Sequence, residues 1–286
     1  MAFSFLRKQK AEPHPKNQAQ VSIDYRAVAL TDVGSVRDNN EDHLVFTRPF
    51  DVKTRASHGC LALVADGMGG HSFGELASRM AAEIITRHYF DTTYTVLTAL
   101  QRAFEKANKA IFQQASKATS YKGMGTTCTA VVLLNNQIYL GHVGDSRAYL
   151  FKGDQMIQLS NDHTLVQHLL DTGQITQEES LGHPQRNVVT RAMGTSAKLQ
   201  ADFSLHKLCF EEGDKLLICS DGLYEYVKGD ELKSILRKNN LNEAAQSLIH
   251  LAKQRGGHDN ISVLIAETFS VDTAQVNKPT QKITIP

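Results

Sequence analysis

The strongest constraint on this chain is a strand motif that it uses twice. Leu61-Ala62-Leu63-Val64-Ala65 is an unbroken apolar run that stops at Asp66-Gly67-Met68-Gly69-Gly70-His71, and Leu216-Leu217-Ile218-Cys219 stops at Ser220-Asp221-Gly222-Leu223. Short apolar runs of this kind predict buried strands. A carboxylate at the tip of a buried strand is held stiffly, and the glycines beside it let other backbone come close. Such an Asp-Gly corner can offer a carboxylate and the next carbonyl oxygen to a hard cation. Taken alone, it is equally a turn after a core strand.

The remaining pattern is a succession of strands and helices. Tyr25–Leu30 alternates as a strand, and residues 31–46 read as strand, loop, strand. Residues 51–59 read as a polar hairpin loop. Apolar positions recur at helical spacing in Glu75–Tyr89 and Val96–Ala118, and again at about 230–238 and 242–254. Gly125–Leu134 and Gln137–Val143 predict a hairpin about Asn135-Asn136, continued through Gly144-Asp145-Ser146-Arg147 into Ala148–Phe151. Residues 160–187 are polar and punctuated by Gly and Pro, and are expected to lie as an appendage over a sheet edge. Within them His163, His168 and His183 lack the spacing of a zinc helix and read as surface or capping histidines. Short strands are expected over 188–210, and a last strand after Asp259. Residues 1–20 predict a disordered N-terminal tail, 21–270 a single domain, and 271–286 a loose C-terminal tail.

Bulk composition narrows the function classes. Lys and Arg number 31 against 30 Asp and Glu, a balance that argues against a nucleic-acid binder. Cys60, Cys128, Cys209 and Cys219 form no Cys-x-x-Cys pair and are expected to be buried thiols in a reducing compartment. No apolar stretch approaches the ~20 residues of a membrane helix. The opening Met-Ala-Phe-Ser-Phe-Leu-Arg-Lys is too short and wrongly ordered for a signal peptide. A soluble, cytoplasmic protein is the expectation.

Asp66, Asp221 and Asp259 each sit where an apolar strand meets a Gly-rich turn, and Asp145 and Asp42 sit at similar strand edges. Gathered at one end of a packed sheet, these carboxylates would repel unless cations neutralised them. Oxygen-only ligation without a Cys or His cluster suits Mg²⁺ or Mn²⁺. Two such ions ~3.5–4 Å apart can share a carboxylate and a water, lowering the pKa of that water. Arg37, among several acids, reads either as a surface salt-bridge cluster or as an anion-gripping group near a metal-facing Asp42. Spacing along the chain leaves open whether the acids meet.

Seven blocks in order carry a resemblance. They are Val36-Arg37-Asp38-Asn39-Asn40-Glu41-Asp42, Val64-Ala65-Asp66-Gly67-Met68-Gly69-Gly70-His71, Gly123-Met124-Gly125-Thr126-Thr127, Val143-Gly144-Asp145-Ser146-Arg147, Thr190-Arg191-Ala192-Met193-Gly194, Cys219-Ser220-Asp221-Gly222-Leu223 and Asp259-Asn260-Ile261-Ser262. Over residues 24–268 the chain resembles the metal-dependent protein serine/threonine phosphatases of type 2C (PPM), most of all the compact bacterial ones. The resemblance implies an α+β fold, a four-layer α-β-β-α sandwich of two antiparallel sheets flanked by helices, with 160–187 as a flap subdomain. It implies a phosphoserine and phosphothreonine protein phosphatase that uses two Mn²⁺ or Mg²⁺ ions and a weaker third. Asp66 is then expected to bridge both metals, the Gly67 carbonyl to bind one, Asp221 and Asp259 to complete the other, and Asp145 with Asp221 to form the third site. Asp42 would reach metal through water, and Arg37 would bind the substrate phosphate. The chemistry implied is direct hydrolysis by metal-activated water, without a phosphoenzyme. Members from higher organisms often carry His right after the Asp-Gly; here that place is Met68, and the candidate general acid is either His71 or a metal-bound water. The implied partners are phosphoproteins made by an opposing protein kinase, and the implied state is a monomer. The alternatives are a binding or regulatory module on the same fold (a pseudophosphatase), which predicts a lost metal acid where none is lost, and a hydrolase of small phosphate esters.

Overall fold

A computed structural model of the chain describes residues 22–69, 72–121, 123–238 and 240–271. The two tails fall almost wholly outside these residues. The order of elements is β1 (Ser22–Asp32), β2 (Asp42–Thr47), α1 (Val52–His58), β3 (Cys60–Met68), α2 (Ser72–Phe90), α3 (Val96–Ala115), β4 (Gly125–Thr126), β5 (Cys128–Leu134), β6 (Gln137–Val143), β7 (Arg147–Lys152), β8 (Gln155–Gln158), α4 (Leu165–Asp171), α5 (Gln177–Leu181), β9 (Asp202–His206), β10 (Lys215–Cys219), α6 (Asp221–Tyr224), α7 (Gly229–Lys238), α8 (Leu241–Gln254) and β11 (Ile261–Val271).

The strands form two antiparallel sheets, one in the order β1-β11-β10-β7-β8 and one in the order β2-β3-β5-β6-β9 with β4 against β3. Strand alternation decides which side chains go where. On β3, Cys60, Ala62 and Val64 point into the layer between the sheets, while Leu61, Leu63 and Ala65 point toward α2 and α3. On β10, Leu216 and Ile218 share that inter-sheet layer, and Leu217 and Cys219 pack under α7 and α8. Both runs are therefore buried on two faces, which explains why they are apolar at every position. The result is the expected four layers, helices on sheet on sheet on helices. Each fully buried Leu contributes roughly 1.5–3 kcal/mol of apolar transfer.

Turn chemistry follows the sequence at the β5–β6 hairpin. Asn135 and Asn136 hold φ of 50° and 63°, the left-handed pair that a two-residue loop needs. Residues 51–59 differ from expectation, because 52–58 form α1 rather than a hairpin loop. Asp51 supplies the reason: its Oδ2 accepts the Thr54 N–H at 2.7 Å, and Gly59 ends the helix. Over 188–210 only β9 forms as a strand, with isolated bridges at Val189 and Met193. Cys60, Cys128 and Cys219 are buried, but Cys209 is exposed. Among the described residues no helix is long and apolar enough to cross a membrane.

Candidate metal centre

Antiparallel pairing brings the chain back repeatedly to one end of the sandwich, and the acids sit on those returns. Asp42 opens β2 and lies directly opposite Asp66 near the end of β3. Asp145 lies in the turn between β6 and β7, where the chain passes from one sheet to the other. Cys219, opposite both Arg147 and Val263, ends β10 just before Asp221, and Asp259 precedes β11. Five carboxylates, contributed by both sheets, thus converge.

Backbone and hydroxyl contacts fix the acids in place. The Asp66 N–H donates to Thr127 Oγ1 at 3.0 Å, and its carbonyl accepts from Thr127 N at 2.8 Å and Thr126 Oγ1 at 2.9 Å. Thr127 Oγ1 also lies 2.8 Å from Ser146 Oγ, which links Asp66 to the turn that carries Asp145. Ser220 Oγ donates to Asp42 Oδ2 at 2.8 Å, and Ser262 N donates to Ser220 Oγ at 3.0 Å. The two Asp-Gly glycines serve close backbone packing. A Cβ on Gly67 would lie 2.1 Å from the Gly74 carbonyl oxygen, and one on Gly222 would lie 2.1 Å from that of Asn260.

Electrostatics show what the cluster lacks. Burial lifts Asp66 well above the ordinary carboxylate range, and repulsion from Asp42, Asp221, Asp145 and Asp259 adds to it. Asp221 is raised likewise, by burial and then by Asp145 and Asp259. Burial, opposed by hydroxyl donors, moves Asp42 up to about 6. Asp145 rises to about 7, through burial and then Asp162. Asp42 Oδ1 and Asp221 Oδ1 are buried with no hydrogen-bond partner. Buried carboxylate oxygens without donors are costly unless a cation meets them. The all-oxygen donor set suits Mn²⁺ or Mg²⁺. Among the described residues, no three His, Cys, Asp or Glu side chains stand at ready-made ligand spacing. The fold thus supplies the charge and the donors at one end, without closing them into a cage.

Arg37 Nη2 sits 2.7 Å from Asp259 Oδ2, so the expected phosphate-binding group is paired with an expected metal ligand. Its side chain keeps 56% of its exposure, leaving guanidinium surface open to an anion. Gly67 pairs with Thr126 across β3 and β4, beside Asp66. His71, the candidate proton donor, lies outside the described residues.

Asn260 is a positioning residue that sequence reasoning passed over. Its Nδ2 donates to the carbonyls of Val33 and Asn39, each at 2.9 Å, and its Oδ1 accepts Glu41 N at 2.8 Å. One amide thereby fastens the loop bearing Arg37 to the start of β11. Arg147 is another. It makes a forked contact with Asp162, 2.6 Å from Nη2 to Oδ2, and its guanidinium lies 3.7 Å from the ring centroid of Tyr224. Asn260 and Arg147 both fall inside the seven motif blocks, but nothing local in those blocks names their partners.

Residues 38–256 match the model of the family described as protein phosphatase 2C. The serine/threonine phosphatase stp of Listeria innocua is 39% identical over 244 residues, 83% of this chain and 93% of that protein. The structure is similar to the Mycobacterium tuberculosis serine/threonine phosphatase PstP/Ppp, with a TM-score of 0.75 at 36% identity, covering 85% of this chain and 98% of that one. It is also similar to the catalytic domain of a serine/threonine protein phosphatase PstP in complex with two manganese ions, with a TM-score of 0.74 at 33% identity, covering 86% of this chain and 99% of that one.

Proposed function

The chain belongs to the protein phosphatase 2C family, and from that premise we propose that it hydrolyses phosphoserine and phosphothreonine in proteins with the help of divalent metal. The observation that carries this reading is the meeting of Asp42, Asp66, Asp145, Asp221 and Asp259 at one end of the two sheets, with buried oxygens on Asp42 and Asp221 left unpartnered. Asp66, Asp221, Asp259 and the Gly67 carbonyl would hold two Mn²⁺ or Mg²⁺ ions. Asp42 would steady their water, and Asp145 with Asp221 would hold a weaker third. Bound there, such ions lower the pKa of water and neutralise phosphate oxygens. Arg37 binds the phosphoryl oxygens of the substrate with donors it does not use on Asp259, and so orients phosphorus for in-line attack. His71 is the proposed proton donor to the leaving serine or threonine oxygen.

The buried unpaired thiols support a reducing, cytoplasmic setting, where a protein kinase would supply the phosphoprotein. The test is phosphate release from phosphothreonine peptides with and without Mn²⁺. Metal-dependent release that Asp66→Asn abolishes is the expected result. Release from small esters alone would move the substrate class, and no release from any phosphoester would leave a binding module.

A further inference from the structure

Residues 160–190 leave and rejoin the fold next to the Gly144-Asp145 turn, and one side chain stands at the junction. His163 is 5% exposed, in contrast to the surface or capping role its sequence context suggests. Its N–H donates to the Gly144 carbonyl at 2.7 Å, and the Gly144 N–H donates back to His163 Nδ1 at 3.2 Å. The His163 carbonyl accepts from both Thr190 N at 2.8 Å and Thr190 Oγ1 at 2.9 Å. On the far side of the ring, Nε2 lies 3.1 Å from Asp202 Oδ2, and Asp202 Oδ1 lies 3.7 Å from Arg191 Nη1.

We propose that His163 is a positioning residue, which fixes the peptide before Asp145 and both ends of the 160–190 segment as one unit and so sets how much metal the site requires. A backbone N–H can only donate, so Nδ1 must be the bare nitrogen and Nε2–H must donate to Asp202. Burial favours this neutral ring by pulling the His163 pKa down. Without an acceptor at Nδ1, the buried Gly144 N–H loses its partner, and the turn must rotate to find another. That N–H belongs to the Val143–Gly144 peptide, so its rotation turns Gly144 about the carbonyl that the His163 N–H still holds, and shifts the carboxylate of Asp145, the next residue. The main-chain bonds, from His163 N–H to the Gly144 carbonyl and from Thr190 to the His163 carbonyl, do not depend on the side chain, so a substitution removes the ring's hold on the Gly144 N–H and leaves the attachment of the 160–190 segment in place.

The effect on metal requirement rests on the phosphatase reading; the hydrogen-bond arms do not. Asn at this position puts Oδ1 close to where Nδ1 stood, whereas Gln does not. His163→Gln is expected to raise the Mn²⁺ concentration for half-maximal phosphate release about tenfold, and to speed Gly144 amide exchange in the metal-free protein by a similar factor. His163→Asn is expected to bring both back to within about twofold of wild type. Thr190 amide protection should persist in both variants, as a marker that the fold is kept. Gln behaving as wild type, or Asn failing as badly as Gln with Thr190 still protected, overturns the proposal. Should both variants lose Thr190 protection, the ring nitrogens of wild-type His163 decide by NMR: bare Nδ1 with protonated Nε2 supports the proposal, and any other state at neutral pH overturns it. A wild type that releases no phosphate with Mn²⁺ refutes the phosphatase reading, while the exchange and ring measurements still judge His163.

Discussion

Arg37 and Asp259, 222 positions apart, meet as an ion pair at 2.7 Å between the 33–41 loop and the start of β11. Under the proposed function the arginine would compete with a cation for the same carboxylate, and its remaining donors would meet an anion. Arg37→Ala should raise KM for a phosphothreonine peptide about tenfold or more, the scale of a lost charge-assisted bond. The same variant should bind Mn²⁺ at least as tightly by calorimetry, because a competing positive charge is gone. An unchanged KM, or weaker metal binding, would remove Arg37 from phosphate recognition.

Asp66 stands half-buried among four other acids, so Asp66→Asn should act in opposite directions on activity and on stability. Mn²⁺-dependent turnover should fall by at least about 100-fold. In EDTA, the variant should melt higher than wild type, since a carboxyl that the metal-free site holds far from its ordinary protonation, among repelling acids, is replaced by a neutral amide. Thermal melts with and without Mn²⁺ check both halves. A variant that is active, or that is destabilised in EDTA, contradicts the assignment.

Asp145, in its turn between the sheets, is the proposed ligand of a weaker third ion. Asp145→Asn should reduce turnover while calorimetry still counts two tightly bound Mn²⁺ ions. Loss of a tight ion would place Asp145 in the main pair instead.

Asn260 holds three backbone groups with one amide. Asn260→Ala should cost roughly 2–4 kcal/mol in urea denaturation, because two carbonyls and one N–H lose their partner. A cost under about 0.5 kcal/mol would show that water replaces it freely.

His142 carries a pH signature. Burial lowers it to about 3, and the neighbouring His163 adds to the effect. Its proton is bound more readily by the unfolded chain, whose ordinary value is about 6.5. Between these two values the unfolded state takes up more protons, so stability falls as pH drops below about 6.5. Relative to His142→Gln, the wild type should lose about 2 kcal/mol between pH 7 and pH 5. Equal slopes for the two proteins would mean that His142 takes up its proton as readily in the fold as in the unfolded chain.

What the sequence discloses depends on how local each cause is. The β3 and β10 runs, the Asn135-Asn136 turn and the acids at strand ends announce themselves within a few residues, and the structure places them as expected. The α1 helix had a local signal as well, Asp51 as cap and Gly59 as stop, but a short polar segment hides its periodicity. His163 looks like any polar residue of the 160–187 stretch, because its partners Gly144, Thr190 and Asp202 are far away along the chain. Asn260 sits in a recognisable block, yet its role exists only through Val33, Asn39 and Glu41. The pairing of Arg37 with Asp259 is likewise a fact of assembly.

The acids are shared between the two sheets, with Asp42 and Asp66 on strands of one and Asp221 and Asp259 just beyond β10 and just before β11 of the other. Divalent ions gripped from both sides would act as rivets across the sandwich, so that occupancy and heat resistance rise together. A cell short of manganese would then hold a looser molecule as well as an idle one, more open to proteolysis, and metal supply would govern how long the protein lasts.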